Sequence, residues 1–151
     1  SGSSTAPVVE AMQLGSYSAG KAINIAKTTA PHAWSYYFSS HYNISHGIAV
    51  WYTLPKVFDL HLESKNIRDG LEFDRHRKDM DQLCEAIGIS DTLPSVYFKN
   101  YLARLGLEID ISEFEYEMRI SMLESANAQR MSNNPIAFDA SEEMYIFHGK
   151  D

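Results

Sequence analysis

Apolar residues recur along this chain at three- and four-residue intervals and never in sustained alternation, the pattern of helices with one buried face. Val8, Val9, Met12, Tyr17, Ile23 and Ile25 lie in an Ala-rich stretch that predicts one or two helices over residues 7–28. Gly15 and Gly20 weaken it or allow close helix packing there. Pro31 opens the next helix, since its missing N–H falls where a first turn needs no donor. That helix runs to about His41 and ends near Asn43. Ser45 is placed to cap a third, which carries Ile48, Ala49, Trp51, Tyr52 and Leu54 toward Leu62 with a kink at Pro55.

Residues 66–70 read as a polar connection. Phe73, Met80, Leu83, Cys84 and Ile87 keep helical spacing over 72–87, and Gly88 stops that helix. Leu93-Pro94 opens another, with Val96, Phe98, Leu102 and Leu105 inward and Gly106 as terminator. Ser112-x-x-Glu115 has the spacing of a capping box ahead of Phe114, Met118, Ile120 and Leu123. Ser132-Asn133-Asn134-Pro135 breaks the chain, and Asp139 caps a short last helix over 140–147. There is no internal repeat, no low-complexity block and no alternating strand. The pattern predicts an all-α helical bundle.

A length of 151 residues suits one domain with a real core, and 44% hydrophobic with 22% charged residues is the balance of a soluble globular protein. The net charge of −7, with Lys and Arg scattered, offers no basic face to nucleic acid or an anionic membrane. No apolar run approaches the roughly 20 residues of a membrane span. Cys84 stands alone, which fits a reducing compartment and a cytoplasmic location. The opening SGSSTAP lacks the basic and apolar regions of a signal peptide. Residues 1–6 read as a tag remnant or linker, and 7–151 as the helical domain.

Candidate chemistry is sparse. Gly15 to Ala22 (GSYSAGKA) nearly spells a P-loop, yet Ala22 lacks the hydroxyl that holds Mg²⁺ and no strand precedes Gly15. Cys84 sits on an apolar face as a packing residue. His61, His76 and His148 read as isolated, with His76 on a solvated face between Arg75 and Arg77. What remains is residues 30–47, APHAWSYYFSSHYNISHG, with three of the six histidines. His32 and His46 each fall in the first turn of a predicted helix, so a short turn can aim both imidazoles at one point. Two neutral imidazoles suit Fe²⁺, Zn²⁺, Ni²⁺ or Co²⁺, and a helix N-terminus disfavours imidazolium. Spacing alone leaves open that they are capping or core histidines.

The run AGKAINIAKTTAPH at 19–32, followed by Ser45-His46-Gly47-Ile-Ala-Val and Leu54-Pro55, resembles the metal-binding signature of the iron-containing (group III) alcohol dehydrogenases. The resemblance is specific over 19–55, thin over 67–111, and returns at Asn133-Asn134-Pro135. It implies a helical C-terminal domain whose partner is an N-terminal dinucleotide-binding domain, with a catalytic metal between them. His32 and His46 match two of four ligand positions. The other two, an Asp and a His one turn apart, lie upstream of this sequence, as does the glycine-rich motif for NAD or NADP. A further His that many members carry four residues after the first ligand is Tyr36 here, and its proton-relay role has no counterpart.

The implied reaction interconverts a small aldehyde and alcohol by hydride transfer, with the metal as Lewis acid on the carbonyl oxygen. The Lys-Thr-Thr-Ala-Pro-His form at 27–32 most resembles the phosphonoacetaldehyde reductase-like branch. On that resemblance Lys27 holds an anionic, phosphonate-like substrate tail or is merely an exposed helix residue. Trp34, Tyr36, Tyr37 and Trp51 are candidate pocket walls or core aromatics, and His41 lines the cleft or caps the turn. Two alternatives stand beside this reading: a dehydroquinate synthase-like lyase domain, against which Ala-Pro-His argues, and a non-catalytic helical module. An apolar cleft face exposed on the isolated chain makes a homo-oligomer the expected state.

Overall fold

A computed structural model describes residues 5–148. The helices follow in the order α1 (Ala6–Ala26), α2 (Ala30–Tyr42), α3 (His46–Trp51), α4 (Leu54–Glu63), α5 (Phe73–Ile87), α6 (Pro94–Arg104), α7 (Tyr116–Glu124), α8 (Ala128–Met131) and α9 (Ala140–His148). A 3-10 turn, Ile111–Glu113, precedes α7. Among the described residues there is no named strand, and the all-α expectation holds. None of these helices is long and apolar enough to cross a membrane. Residues 1–4 of the expected tag or linker lie outside the described residues, and Ala6 already belongs to α1.

Helix α4 organises the interior. Four consecutive residues, Val57, Phe58, Asp59 and Leu60, are buried, so it presents apolar groups in two directions. Val57 and Leu60 join the larger cluster with Trp34 and Phe38 of α2, Met122 of α7, Ile136, and Ile146 and Phe147 of α9. Phe58 joins a smaller one with Met80 of α5, Ile89 and Phe98 of α6. Pro55 does not kink a continuous helix. The chain breaks at Tyr52-Thr53, and Pro55 sits in the first turn of α4, where its missing N–H costs nothing.

Asp59 fastens the bundle at the point where the clusters meet. Its fully buried carboxylate accepts the Ser95 N–H at 2.9 Å and the Tyr145 hydroxyl. Ser95 lies in the first turn of α6, so α4 supplies the cap that Leu93, at the N-cap position, cannot. Burial and the Asp59 carboxylate together push the Tyr145 phenol well above its ordinary range. A second tie joins the 64–70 connection to the segment before α9. Ile67 and Ile136 form a single antiparallel bridge, Arg68 N–H donates to Pro135, and the Arg68 guanidinium donates to the carbonyls of Asn134 and Met131.

Several local expectations change. Ser112 caps nothing. Asp110 accepts the Ser112 N–H and closes the 3-10 turn, and α7 starts only at Tyr116. Asp139 does cap α9, accepting from Ser141 and Glu142, while Glu142 accepts the Asp139 N–H in return. In α1, the close packing expected at Gly15 and Gly20 is absent, since a Cβ at either would meet nothing within 4 Å. The helix runs unbroken through the P-loop-like residues. Every residue of α1 is exposed, Met12 by 70% and Ile25 by 81%.

Replacing Asp59 by Ala strands the Ser95 N–H and the Tyr145 hydroxyl in the interior. Unfolding in urea is expected to show a loss of about 3 kcal/mol, with a smaller loss for Asp59→Asn, which keeps an acceptor. Equal stabilities of the parent and Asp59→Ala would refute this role.

Candidate metal centre

The two outer histidines of the 30–47 segment converge. His32 sits in the first turn of α2 and His46 is the first residue of α3. Between them α2 ends at Asn43, whose left-handed backbone (φ 51°) turns the chain back. Burial of Trp34 and Phe38 against the core fixes the roll of α2, and that roll sends His32 and Tyr36 toward α3. The His32 and His46 ring centroids are 5.3 Å apart with planes tilted by 57°. Two imidazoles bound through single nitrogens to one tetrahedral ion place their centroids roughly 5 Å apart, given metal–nitrogen distances near 2.1 Å.

Three further side chains complete this corner. Tyr36 stands with its ring 5.6 Å from that of His46. Arg130 of α8 covers the Tyr36 ring at 4.3 Å and donates to its hydroxyl at 2.5 Å. Ser35, fully buried, lies between the ligand candidates, its Oγ 2.9 Å from the His32 carbonyl and 3.3 Å from His46 Nδ1. Burial first, then the neighbouring His46 and the Arg130 charge, hold His32 below its ordinary pKa, which keeps it neutral. Converging imidazole rings are suitable nitrogen donors. Among the described residues, however, no group of three or more His, Cys, Asp or Glu side chains is placed to hold a metal. The corner supplies two donors and no more.

The remaining pocket candidates separate. Trp34 is fully buried, stacked on Phe138 and edge-on to Phe147, and belongs to the core rather than to a pocket wall. His41 faces back along its own helix. It stacks on Tyr37 at 4.2 Å, with Nδ1 3.0 Å from the Tyr37 carbonyl and 2.9 Å from Ser40 Oγ, a place at the end of α2 away from the paired histidines. Lys27 is the exposed residue after α1, held at φ 66°. Tyr36 alone of the aromatic candidates stands exposed beside His46.

The model of the Fe-containing alcohol dehydrogenase family, C-terminal, matches residues 2–113. The chain belongs to that family. The match includes the stretch over 67–111 where the resemblance was thin, and stops short of Asn133-Asn134-Pro135. No curated protein and no solved structure matches the chain. Its all-helical bundle accords with the C-terminal domain of iron-type alcohol dehydrogenases.

Two histidines of this alcohol dehydrogenase domain that read as isolated are in contact. His61 of α4 and His76 of α5 have ring centroids 5.2 Å apart, with His61 Nδ1 3.3 Å from His76 Nε2. His61 Nε2 lies 3.3 Å from Oδ1 of the fully buried Asn134, whose amide donates to the Ile136 carbonyl. That amide orientation leaves Oδ1 as acceptor, so His61 donates from Nε2 and receives at Nδ1. His148 is not isolated either, since its ring stacks on Tyr116. Cys84 is partly buried beside the Phe58 cluster, and burial raises its thiol pKa, as suits a packing residue.

Burial depresses the His61 pKa to about 4, against 6.5 for the free side chain. The unfolded chain therefore binds a proton below about pH 6.5 that the folded chain refuses until about pH 4. Stability is full above that window and falls as pH drops through it, by at most about 3 kcal/mol from this group. In urea titrations across the window, His61→Gln should flatten the pH dependence by about one proton. An unchanged slope would remove His61 as the cause.

Proposed function

We propose that this chain is the metal-binding helical half of an NAD(P)-dependent alcohol dehydrogenase acting on a small aldehyde or alcohol. The convergence of His32 and His46, in a chain that matches the family over most of its length, supports this reading most strongly. His32 and His46 hold two coordination positions of a divalent ion, Fe²⁺ or one of Zn²⁺, Ni²⁺ and Co²⁺. Held by His32 and His46, such an ion would supply Lewis acidity for a carbonyl oxygen, and a nicotinamide would supply the hydride. An Asp and a His from an N-terminal dinucleotide-binding domain complete the ligand set. The exposed apolar side chains of α1, Val8, Met12, Leu14 and Tyr17 among them, are the surface which that domain covers.

The chain's own residues bind and orient. Burial, then the neighbouring His46 and the Arg130 charge, shift His32 toward its neutral form, the form that can donate a lone pair. Arg130 donates to Tyr36 Oη, which leaves the phenol proton free to be given to an oxygen in the site. For a substrate with the anionic tail of the phosphonoacetaldehyde reductase-like branch, Arg130, over the Tyr36 ring beside His46, is placed to receive it. Its guanidinium offers a planar fork that an ammonium lacks.

Calorimetric titration of the 151-residue chain with Zn²⁺ is expected to show weak binding. His32→Ala or His46→Ala should lower the affinity by more than about tenfold, since even outer partners of a ligand are worth that much. Tight stoichiometric binding by the chain alone would overturn the half-site, and binding indifferent to both substitutions would overturn the ligand assignment.

A further inference from the structure

Among the described residues, Ser35 links the two ligand candidates by hydrogen bonds, to the His32 backbone and to the His46 ring. Its Oγ is 2.9 Å from the His32 carbonyl oxygen and 3.3 Å from His46 Nδ1, and the side chain has no exposure to water. A hydroxyl has one proton to give and two lone pairs to offer. The carbonyl only accepts, so with the shorter contact the proton goes to His32. Oγ is then an acceptor toward His46, and the second contact is satisfied when Nδ1 carries a hydrogen. A neutral imidazole protonated at Nδ1 has its lone pair on Nε2. We propose that Ser35 fixes His46 as the Nδ1–H tautomer, so that Nε2 is the nitrogen offered to a divalent cation.

The opposite arrangement has a definite cost. Were Ser35 to donate to Nδ1, His46 would be protonated at Nε2 and present an N–H where a ligand must present a lone pair. The tautomer is diagnostic because a solvated histidine side chain prefers Nε2–H, the reverse of what this network imposes. Tyr36 and His32 make ring contacts with His46 and no hydrogen bond to it. Ser35 is thus a positioning residue, acting through His46 without touching cation or substrate. Its purpose rests on the proposed half-site, but the tautomer exists in the metal-free chain and is measured there.

Long-range proton–nitrogen correlation spectra of the metal-free chain, labelled with ¹⁵N-histidine and kept where imidazoles are neutral, read the tautomer directly. His46 is assigned by the signals lost in His46→Gln. The expected result is Nδ1–H in the parent, a shift to mainly Nε2–H in Ser35→Ala, and retention of Nδ1–H in Ser35→Thr. Nε2–H in the parent overturns the proposal, and so does an unchanged spectrum in Ser35→Ala. The parent spectrum decides by itself if a variant fails to fold. Titration with Co²⁺ gives a second readout, with affinity about 10- to 100-fold lower in Ser35→Ala than in the parent. Equal affinities count against the proposal. A parent that shows Nδ1–H and binds no Co²⁺ sinks the half-site while upholding the tautomer assignment.

Discussion

The burial of one face of α2 governs this structure. Trp34 and Phe38, one turn apart, are both fully buried, and each is gripped by rings from distant parts of the chain. Trp34 meets Phe138 and Phe147, while Phe38 stacks on Tyr52 at 4.9 Å and meets Phe114 at 5.3 Å. Aromatic pairs of this kind contribute about 0.5–1.5 kcal/mol each beyond the area they bury. Their larger effect is orientation. With that face down, the helix has one available roll, and His32, Ser35 and Tyr36 take their directions from it. A site that is local in sequence is therefore held in place by residues about 100 positions away.

The interior also carries polar groups: Asp59 and Asn134 are fully partnered across the fold, while Thr53 Oγ1 and Trp34 Nε1 are buried with no hydrogen-bond partner among the described residues. A carboxylate buried at Asp59 is tolerable because a backbone N–H and a phenol both donate to it. Asn134 is tolerable because its amide donates to Ile136, its carbonyl receives Arg68, and its side-chain oxygen faces His61. Each of these networks joins elements far apart in the chain: α4 with α6 and α9 in one case, and α4 with the segment before α9 in the other. Apolar clusters set how closely the helices pack, and the buried hydrogen bonds set which helix faces which. The ligand candidates need that second kind of constraint, because a rotation of α2 that preserved burial in bulk would still pull His32 off His46.

The longer helices were largely legible, because they carry their own apolar period and their own stop, whereas α3 and α4 read as one kinked helix and the four-residue α8 gave no signal. Gly88 at φ 83° and Gly106 at φ 72° end α5 and the turn after α6 as their conformational freedom predicts. The turn chemistry was less legible. Ser112 and Asp110 are both plausible caps two residues apart, and only the chain's path shows that Asp110 accepts the bond. Of the candidate site, the proximity of His32 and His46 was legible through their motif and their place at helix starts. Ser35 was not, since a serine in mid-helix looks like filler until its neighbours across the turn are known. Arg130 and Tyr36 are 94 residues apart, and nothing in periodicity pairs them. His61 and His76 escaped for the same reason, being on different helices joined by an irregular connection.

Helix α1 shows where periodicity and packing part company. Its apolar residues predict a buried face, yet Val8, Met12, Leu14, Tyr17 and Ile25 are all more than 60% exposed. Each such side chain forgoes roughly 1.5–3 kcal/mol available from full burial. Most helical stability in proteins comes from packing of an amphipathic face, and α1 runs unbroken over 21 residues without one. On the proposed reading a single cause covers both irregularities of the molecule. A domain that brought an Asp and a His to the paired histidines would have to rest against the helix that leads into them. Its arrival would cover the apolar face of α1 as it filled the coordination sphere, so that docking and metal binding would stabilise each other.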